Sequence, residues 1–376
     1  MNGPAFLVFV ISAAAILYCY FGYPVLLAMV PVRRRHGPAD PAEWPTVSVL
    51  LSVYNEEKHV AARIENLLAL DYPADKLEIF VGSDGSEDRT NEIALRYTDP
   101  RLRLFAFSPR NGKPSVLNRL VPQATGDLLV FTDANALFAP DALRKLARHF
   151  TDPRIGGVCG RLILYGVTTE TEEGPYWKLE TFMKKRESAI DSCLGANGAI
   201  YAIRRAAWPG IPDNTLIDDF VIALRVRERG LRVIYDAEAT ATEDLPQFVG
   251  HEMTRRIRIG AGGFQTLFFC WRSLLPWRGP YTLAFWSHKV LRWFVPFLMI
   301  AALVSNALLL PQPVFAVLLA LQLLFYVLAA IGAMVGKKSA VFSLPHYFVT
   351  INLALFFGFF RFITRTQRAA WKRTAR

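Results

Sequence analysis

Residues 4–30 read PAFLVFVISAAAILYCYFGYPVLLAMV, without one charged side chain. An α-helix needs about 20 consecutive apolar residues to cross about 30 Å of hydrocarbon, so this run is long enough to span a bilayer. It is too long for the apolar core of a secretory signal, and no basic residue precedes it. A retained N-terminal anchor is the expectation. Arg33, Arg34 and Arg35 follow directly. Arginines beside the end of a span favour the cytoplasmic side, which would leave the N-terminus outside and the next segment inside. Three more apolar runs, 290–310, 313–335 and 341–360, lie in the C-terminal third. Ahead of them FQTLFFCWRSLLPWRGP is short, aromatic and basic, a composition suited to the membrane interface; residues 249–286 are therefore read as interfacial amphipathic helices. Pro345 and His346 interrupt the last run. If all three runs cross, the basic tail 362–376 emerges outside, against the positive-inside preference, so the sequence leaves open a re-entrant or interfacial run.

The chain has 376 residues, of which 52% are hydrophobic and 20% charged, more apolar than a purely soluble protein. The excess sits in the terminal runs. The net charge is +11, but much of the basic charge flanks apolar runs, at 33–35, 255–258, 337–338 and 361–376. Anionic lipid headgroups account for that pattern without a nucleic-acid partner. Cys19, Cys159, Cys193 and Cys270 show no CxxC spacing, so no zinc site or disulfide framework is legible, and scattered cysteines suit a reducing cytoplasm. Residues 31–45 read as a linker.

Between Trp44 and Phe248 the pattern changes. TVSVLLSV (46–53), LEIFVGSD (77–84), RLRLFAF (101–107) and DLLVFTD (127–133) are continuous apolar runs separated by helical patterns. Such alternation predicts an α/β fold with a mainly parallel sheet covered on both faces, and such sheets bind ligands beyond the C-terminal ends of their strands. The first run ends in YNEE (54–57), the second in SDGSED (83–88), the fourth in DAN (133–135). Each has a plain alternative: Asn55 can cap a helix and SDGSED can be a turn. Together they line one edge with oxygen donors of the kind that hold a hard cation, and a cation there can neutralise a departing diphosphate. Lys113, opening the next helical pattern, could reach the same phosphates or be a solvated helix-end lysine. There is no GxGxxG and no GxxxxGK[ST], which disfavours a dinucleotide fold or a P-loop.

These motifs, in this order, resemble the membrane-embedded inverting glycosyltransferases of family 2, which include cellulose, hyaluronan, chitin and poly-N-acetylglucosamine synthases. The resemblance covers nearly the whole chain. It implies a GT-A (nucleotide-diphospho-sugar transferase) domain at 44–248, with transmembrane helices at both ends. It implies nucleotide binding by Tyr54, Asn55, Glu57 and Asp84, with Ser83 where the family has a first acid. Asp133-Ala134-Asn135 falls on the metal-binding DxD, its second acid replaced by an amide, which implies Mg2+ or Mn2+ held by Asp133 and Asn135. GANGAIYAIRR (195–205) resembles the acceptor-side glycine segment. In LIDDFVIALRVRERG (216–230), Asp219 falls on the catalytic base, with Asp218 beside it. The family's Gln-x-x-Arg-Trp aligns with Arg255 to Ile259, so Arg258 and Arg255 are candidates for the diphosphate, and the stacking Trp is an Ile. Trp371-Lys372-Arg373-Thr374 resembles a C-terminal Trp-x-Thr signature.

What the resemblance implies is transfer from a nucleotide-sugar, a UDP-sugar by this reading, to a hydroxyl on a lipid or saccharide acceptor. The setting would be the inner cell membrane, multi-pass, with the catalytic domain cytoplasmic. Polysaccharide or glycolipid synthesis is the first expectation and single-sugar transfer to a lipid the second; a non-catalytic nucleotide-binding subunit is a third. A transporter is disfavoured because the spans are almost uncharged.

Overall fold

The structure, a computed structural model, describes residues 3–32, 38–165, 175–244, 249–335 and 339–369. Arg33–Arg35, Lys337–Lys338 and Trp371–Thr374, singled out above, lie outside the described residues. The chain divides into two compact units. One comprises Met1–Met29, Phe248–Phe268 and Leu283–Gln367; the other comprises Val30–Gln247, Phe269–Thr282 and Arg368–Arg376. The helical unit begins with α1 (Gly3–Leu17) and α2 (Tyr23–Met29), joined through a wider π-helical turn, Tyr18–Gly22.

The second unit is α/β. Strand β1 (Val47–Val53), α3 (Val60–Leu68), β2 (Leu77–Asp84), α4 (Thr90–Leu95), β3 (Leu102–Phe107), α5 (Lys113–Leu120) and β4 (Leu128–Thr132) alternate as the sequence predicts. Strand β5 (Ala136–Phe138), α6 (Ala142–Ala147), β6 (Ile155–Tyr165), α7 (Pro175–Ile190), β7 (Tyr201–Arg204), α8 (Asp218–Glu228) and β8 (Arg232–Asp244) complete it. The eight strands make one sheet in the order β3-β2-β1-β4-β7-β6-β8-β5. The pairs β3–β2, β2–β1, β1–β4 and β6–β8 are parallel; β7 runs antiparallel between β4 and β6, and β5 antiparallel to β8. The sheet is thus mixed but mainly parallel.

The apolar runs become central strands because both faces are covered. Val49 and Leu51 on β1 join Ile64 and Leu67 of α3 in one core, while Leu50, Phe80 and Phe131 are also fully buried. Each such side chain contributes roughly 1.5–3 kcal/mol on burial. Register then fixes the edge: Val53 lies opposite Ser83 and Leu51 opposite Thr132. The segments after β1, β2 and β4 therefore leave the sheet on the same side. At the opposite ends of β1 and β4 lies a groove of about 740 Å³, lined among others by Trp44, Lys76, Asp127 and Arg205. Its charges hold their own surroundings: Lys76 donates to Glu43 at 2.6 Å, Thr46 Oγ1 to Asp127 at 2.8 Å, and Arg205 Nε to the Gly126 carbonyl at 2.9 Å.

The helical unit continues with α9 (Val249–Phe269) and, through α10 (Pro280–Ala284) and a π-helical stretch Phe285–Val290, into α11 (Leu291–Ala307), then α12 (Pro313–Val335) and α13 (Ala340–Ile363). Four helical stretches are long and apolar enough to cross a membrane: Gly3–Met29, Pro280–Ala307, Pro313–Val335 and Ala340–Ile363. Two boundaries differ from expectation. The second stretch starts at Pro280, not 290, because Gly279 at φ 87° breaks the chain and Pro280 starts a helix readily. The last stretch runs unbroken through Pro345, as apolar helices tolerate proline where neighbours satisfy the freed carbonyl. Helix α9 is one continuous element and packs closely on α13. A Cβ on Gly358 would stand 2.7 Å from the Ala261 backbone nitrogen, and one on Gly260 3.2 Å from the Leu355 Cα; small residues here let the two backbones approach.

Candidate active site

The segments after β1 and β2 lock into each other. Asn55 sits at φ 51°, a left-handed conformation that asparagine tolerates better than most residues. Its Oδ1 accepts from Glu87 N at 2.8 Å, and its own N donates to Ser86 Oγ at 3.1 Å. Ser83, standing where the family has an acid, is buried and 2.9 Å from the Ser86 hydroxyl. Glu57 faces Arg89 at 3.5 Å, and its N donates to Asp88 at 3.1 Å. Asp84 is 4% exposed and accepts from Asn111 N and Gly112 N, both at 2.8 Å. It therefore braces the turn that delivers Lys113. Beside it Arg110 lies 3.5 Å from the centre of the Tyr54 ring, a cation–π pair next to the brace.

The acids after β4 and at the start of α8 converge. Lys113 Nζ donates to Asp133 Oδ1 at 2.6 Å and lies 3.6 Å from Asp218 Oδ2. Gly198, on the glycine segment before β7, marks the meeting point: a Cβ there would be 3.2 Å from Asp219 Oδ2 and 3.6 Å from Asp133 Oδ2. Phe220 N donates to Asp219 Oδ1 at 2.8 Å. Burial first, and then the neighbouring Asp218, push the Asp219 carboxyl up to about 6. Burial would lower the Lys113 ammonium, but Asp133 and Asp218 outweigh it and hold its pKa above the ordinary lysine range. Lys113 is thus no solvated helix-end lysine: it is a fixed cation among carboxylates. Among the described residues Asp218 Oδ2 is buried without a hydrogen-bond partner, 3.6 Å from the Lys113 ammonium.

The amide of DAN has a partner that sequence reading missed. Asn135 Nδ2 donates to Glu243 Oε1 at 2.7 Å, because β5 pairs Ala136 with Glu243 on β8. Arg63 was missed as well. It is fully buried on α3 and donates to Thr132 Oγ1 at 2.6 Å, directly beneath Asp133. Its signal was present in the sequence, a charged residue at a core position of an amphipathic helix. Arg255 and Arg258 lie on α9 in the helical unit, so they are not part of the carboxylate cluster's own unit.

Residues 48–208 match the glycosyl transferase family 2 signature. The chain carries a family 2 glycosyltransferase domain. Among curated relatives, this glycosyltransferase domain region is 26% identical over 247 residues to beta-monoglucosyldiacylglycerol synthase of Synechocystis, covering 63% of this chain and 51% of that protein. It is 26% identical over 233 residues to poly-beta-1,6-N-acetyl-D-glucosamine synthase of Staphylococcus aureus, covering 60% of this chain and 56% of that one. The chain thus spans about half the length of the curated relatives it matches. A mannosyltransferase from Pyrobaculum calidifontis, solved with GDP-Man and Mn2+, superposes with a TM-score of 0.76 at 23% identity, over 96% of this chain and 100% of that one. The shared fold is that of the GT-A glycosyltransferases.

Proposed function

We propose that this chain is an inverting, membrane-bound glycosyltransferase that moves a hexose from a nucleotide-sugar to an acceptor hydroxyl. The observation that carries the reading is the meeting of Asp133 and Asp219 over Gly198, with Lys113 paired to Asp133 and Asp218. Tyr54, Arg110 and the Asn55–Ser86 lock form the wall for the nucleotide. Asp133 and Asn135 supply hard oxygen donors, the chemistry that suits Mg2+ or Mn2+. Among the described residues no three His, Cys, Asp or Glu side chains are grouped tightly enough to hold an ion unaided, so phosphate and water oxygens would complete the shell. A divalent cation bound there would offset charge on the leaving diphosphate.

Asp219 is the base. As the acceptor oxygen attacks the anomeric carbon from the face opposite the diphosphate, Asp219 takes the hydroxyl proton. The bond to the phosphate oxygen breaks, and the nucleoside diphosphate leaves with that electron pair. A carboxyl lifted toward 6 by its surroundings is a stronger base than an ordinary aspartate yet still ionised near neutrality. Lys113 stays within reach of the growing negative charge.

The four apolar stretches support a multi-pass protein, and Arg33, Arg34 and Arg35 after the first of them favour a cytoplasmic catalytic domain. The acceptor is then a lipid or a saccharide at the membrane, and the two relatives named above are one of each kind by their names. The test is a panel of UDP- and GDP-sugars offered to membranes containing the protein, with and without EDTA, reading released nucleoside diphosphate. Release with no sugar, or release untouched by EDTA, defeats the donor or the metal part respectively. Product size separates single transfer from polymer synthesis.

A further inference from the structure

Helix α3 buries a stripe of Val60, Arg63, Ile64 and Leu67. Positions i, i+3, i+4 and i+7 of such a stripe belong to hydrophobic residues, yet one carries a guanidinium with no exposed surface. A buried charge is costly unless its surroundings need it, and an aliphatic residue of similar volume would pack at least as well. The hydrogen bonds of this guanidinium go to neutral oxygens. One arm donates to Thr132 Oγ1 at 2.6 Å, and the Thr132 hydroxyl in turn donates to the Ala199 carbonyl at 2.8 Å. The other arm donates to Asn66 Oδ1. Asn66 then grips Phe138 at both backbone groups: Phe138 N donates to Asn66 Oδ1 and Asn66 Nδ2 donates to Phe138 O, each at 2.9 Å. The guanidinium itself stands 4.3 Å from the centre of the Phe138 ring. Thr132 ends β4 and Phe138 ends β5, the two strands that flank Asp133 and Asn135.

We propose that Arg63, with Asn66, is a positioning residue for the donor site: it pins both ends of the Thr132–Phe138 segment, the turn and the short strand β5, and sets a fixed positive charge behind Asp133. The loop carboxylate then meets a cation and a diphosphate without rearranging. The clamp rests on the reading of Asp133–Asn135 as the phosphate ledge, and its geometry can be tested apart from that reading.

The experiment compares full-length wild type with Arg63→Met and Arg63→Lys, purified in the same lipid nanodiscs. Hydrogen exchange of amides 133–138 is measured without ligand. The Mn2+ concentration for half-maximal binding of fluorescent UDP and GDP is measured next, and thermal unfolding last. Arg63→Met is expected to keep the wild-type Tm, exchange faster at 133–138 but not in β2, and need about 10–100-fold more Mn2+. Arg63→Lys keeps the charge without the two-armed fork and should fall between. Wild-type exchange and Mn2+ dependence in Arg63→Met overturn the proposal. If Arg63→Met does not fold, wild-type behaviour in Arg63→Lys overturns it instead. Failure of wild type to bind either nucleotide with Mn2+ defeats the donor-site reading, while the exchange comparison still decides the clamp.

Discussion

At the scale of single residues the site turns on Asp219. Its carboxyl is held up to about 6 in the fold against an ordinary 3.8, through burial and then Asp218. A raised acid keeps its proton in the folded state where the unfolded chain has lost it, so its contribution to stability falls as pH rises through that window. Turnover needs the ionised form and should rise through the same window. Activity and stability are therefore expected to move in opposite directions between about pH 4 and 6, measurable as kcat/KM and Tm on one set of buffers. Asp219→Asn should lower kcat by about 10²–10⁴-fold, keep nucleotide binding and lift Tm near neutral pH; retained turnover would show that Asp219 is not the base, and a non-catalytic binding subunit would keep its function in this variant. Gly198→Ala places a methyl 3.2 Å from Asp219 Oδ2, and a displaced base costs up to about 100-fold in rate, read as kcat with the fold intact by circular dichroism. Asp133 and Lys113 stood out in the sequence as charged residues at a strand end and a helix start, and Asp218 and Asp219 through the family resemblance; that they converge is a matter of the fold. Glu243 did not stand out, since its approach to Asn135 depends on a three-residue strand pairing with a segment over 100 positions away.

At the scale of elements, β1 to β4 and their helices follow directly from apolar runs and helical periodicity. Strands β5 and β7 are too short, at three and four residues, to announce themselves, and their antiparallel placement is a tertiary choice. Close packing of strand on helix carries the site. A Cβ on Gly82 of β2 would lie 2.4 Å from Val116 Cγ1 on α5. Gly82→Ala should therefore destabilise by about 1–3 kcal/mol and displace α5 with Lys113 at its start, seen as a lower Tm together with weaker nucleotide binding. Away from the site, Asp236 joins β8 to the turn that follows α6. Burial would raise its carboxyl, but His149, Glu238 N and Arg148 pull it down to about 2. That stabilisation is fully present above the ordinary aspartate range and is lost as pH falls toward 2. Asp236→Asn should cost about 3 kcal/mol, checked by urea unfolding at pH 7, and should leave donor binding unchanged.

At the scale of the whole molecule the apolar stretches set topology. Their lengths, 27, 28, 23 and 24 residues, each exceed the roughly 20 that a crossing needs. Four crossings would put both termini outside and the catalytic domain inside; a cysteine added at the C-terminus should then be labelled by an impermeant maleimide applied to whole cells. Labelling only after lysis would mean that one stretch does not cross. The composition revealed the number of apolar stretches, but not the start of the second, which a single glycine–proline step decides. The mixed sheet also has a natural parting line. Strands β1 to β4, with the proposed nucleotide wall, lie on one side of it; β6, β7 and β8, with the glycine segment, lie on the other, meeting along β4 and β7. Among the described strands only β5 reaches over, clasping Ala136–Phe138 to Ala241–Glu243. Recombination along that line offers a route to chimaeras in which one donor half is grafted onto new acceptor halves, provided each graft brings a β8 edge that the three-residue hook can grasp.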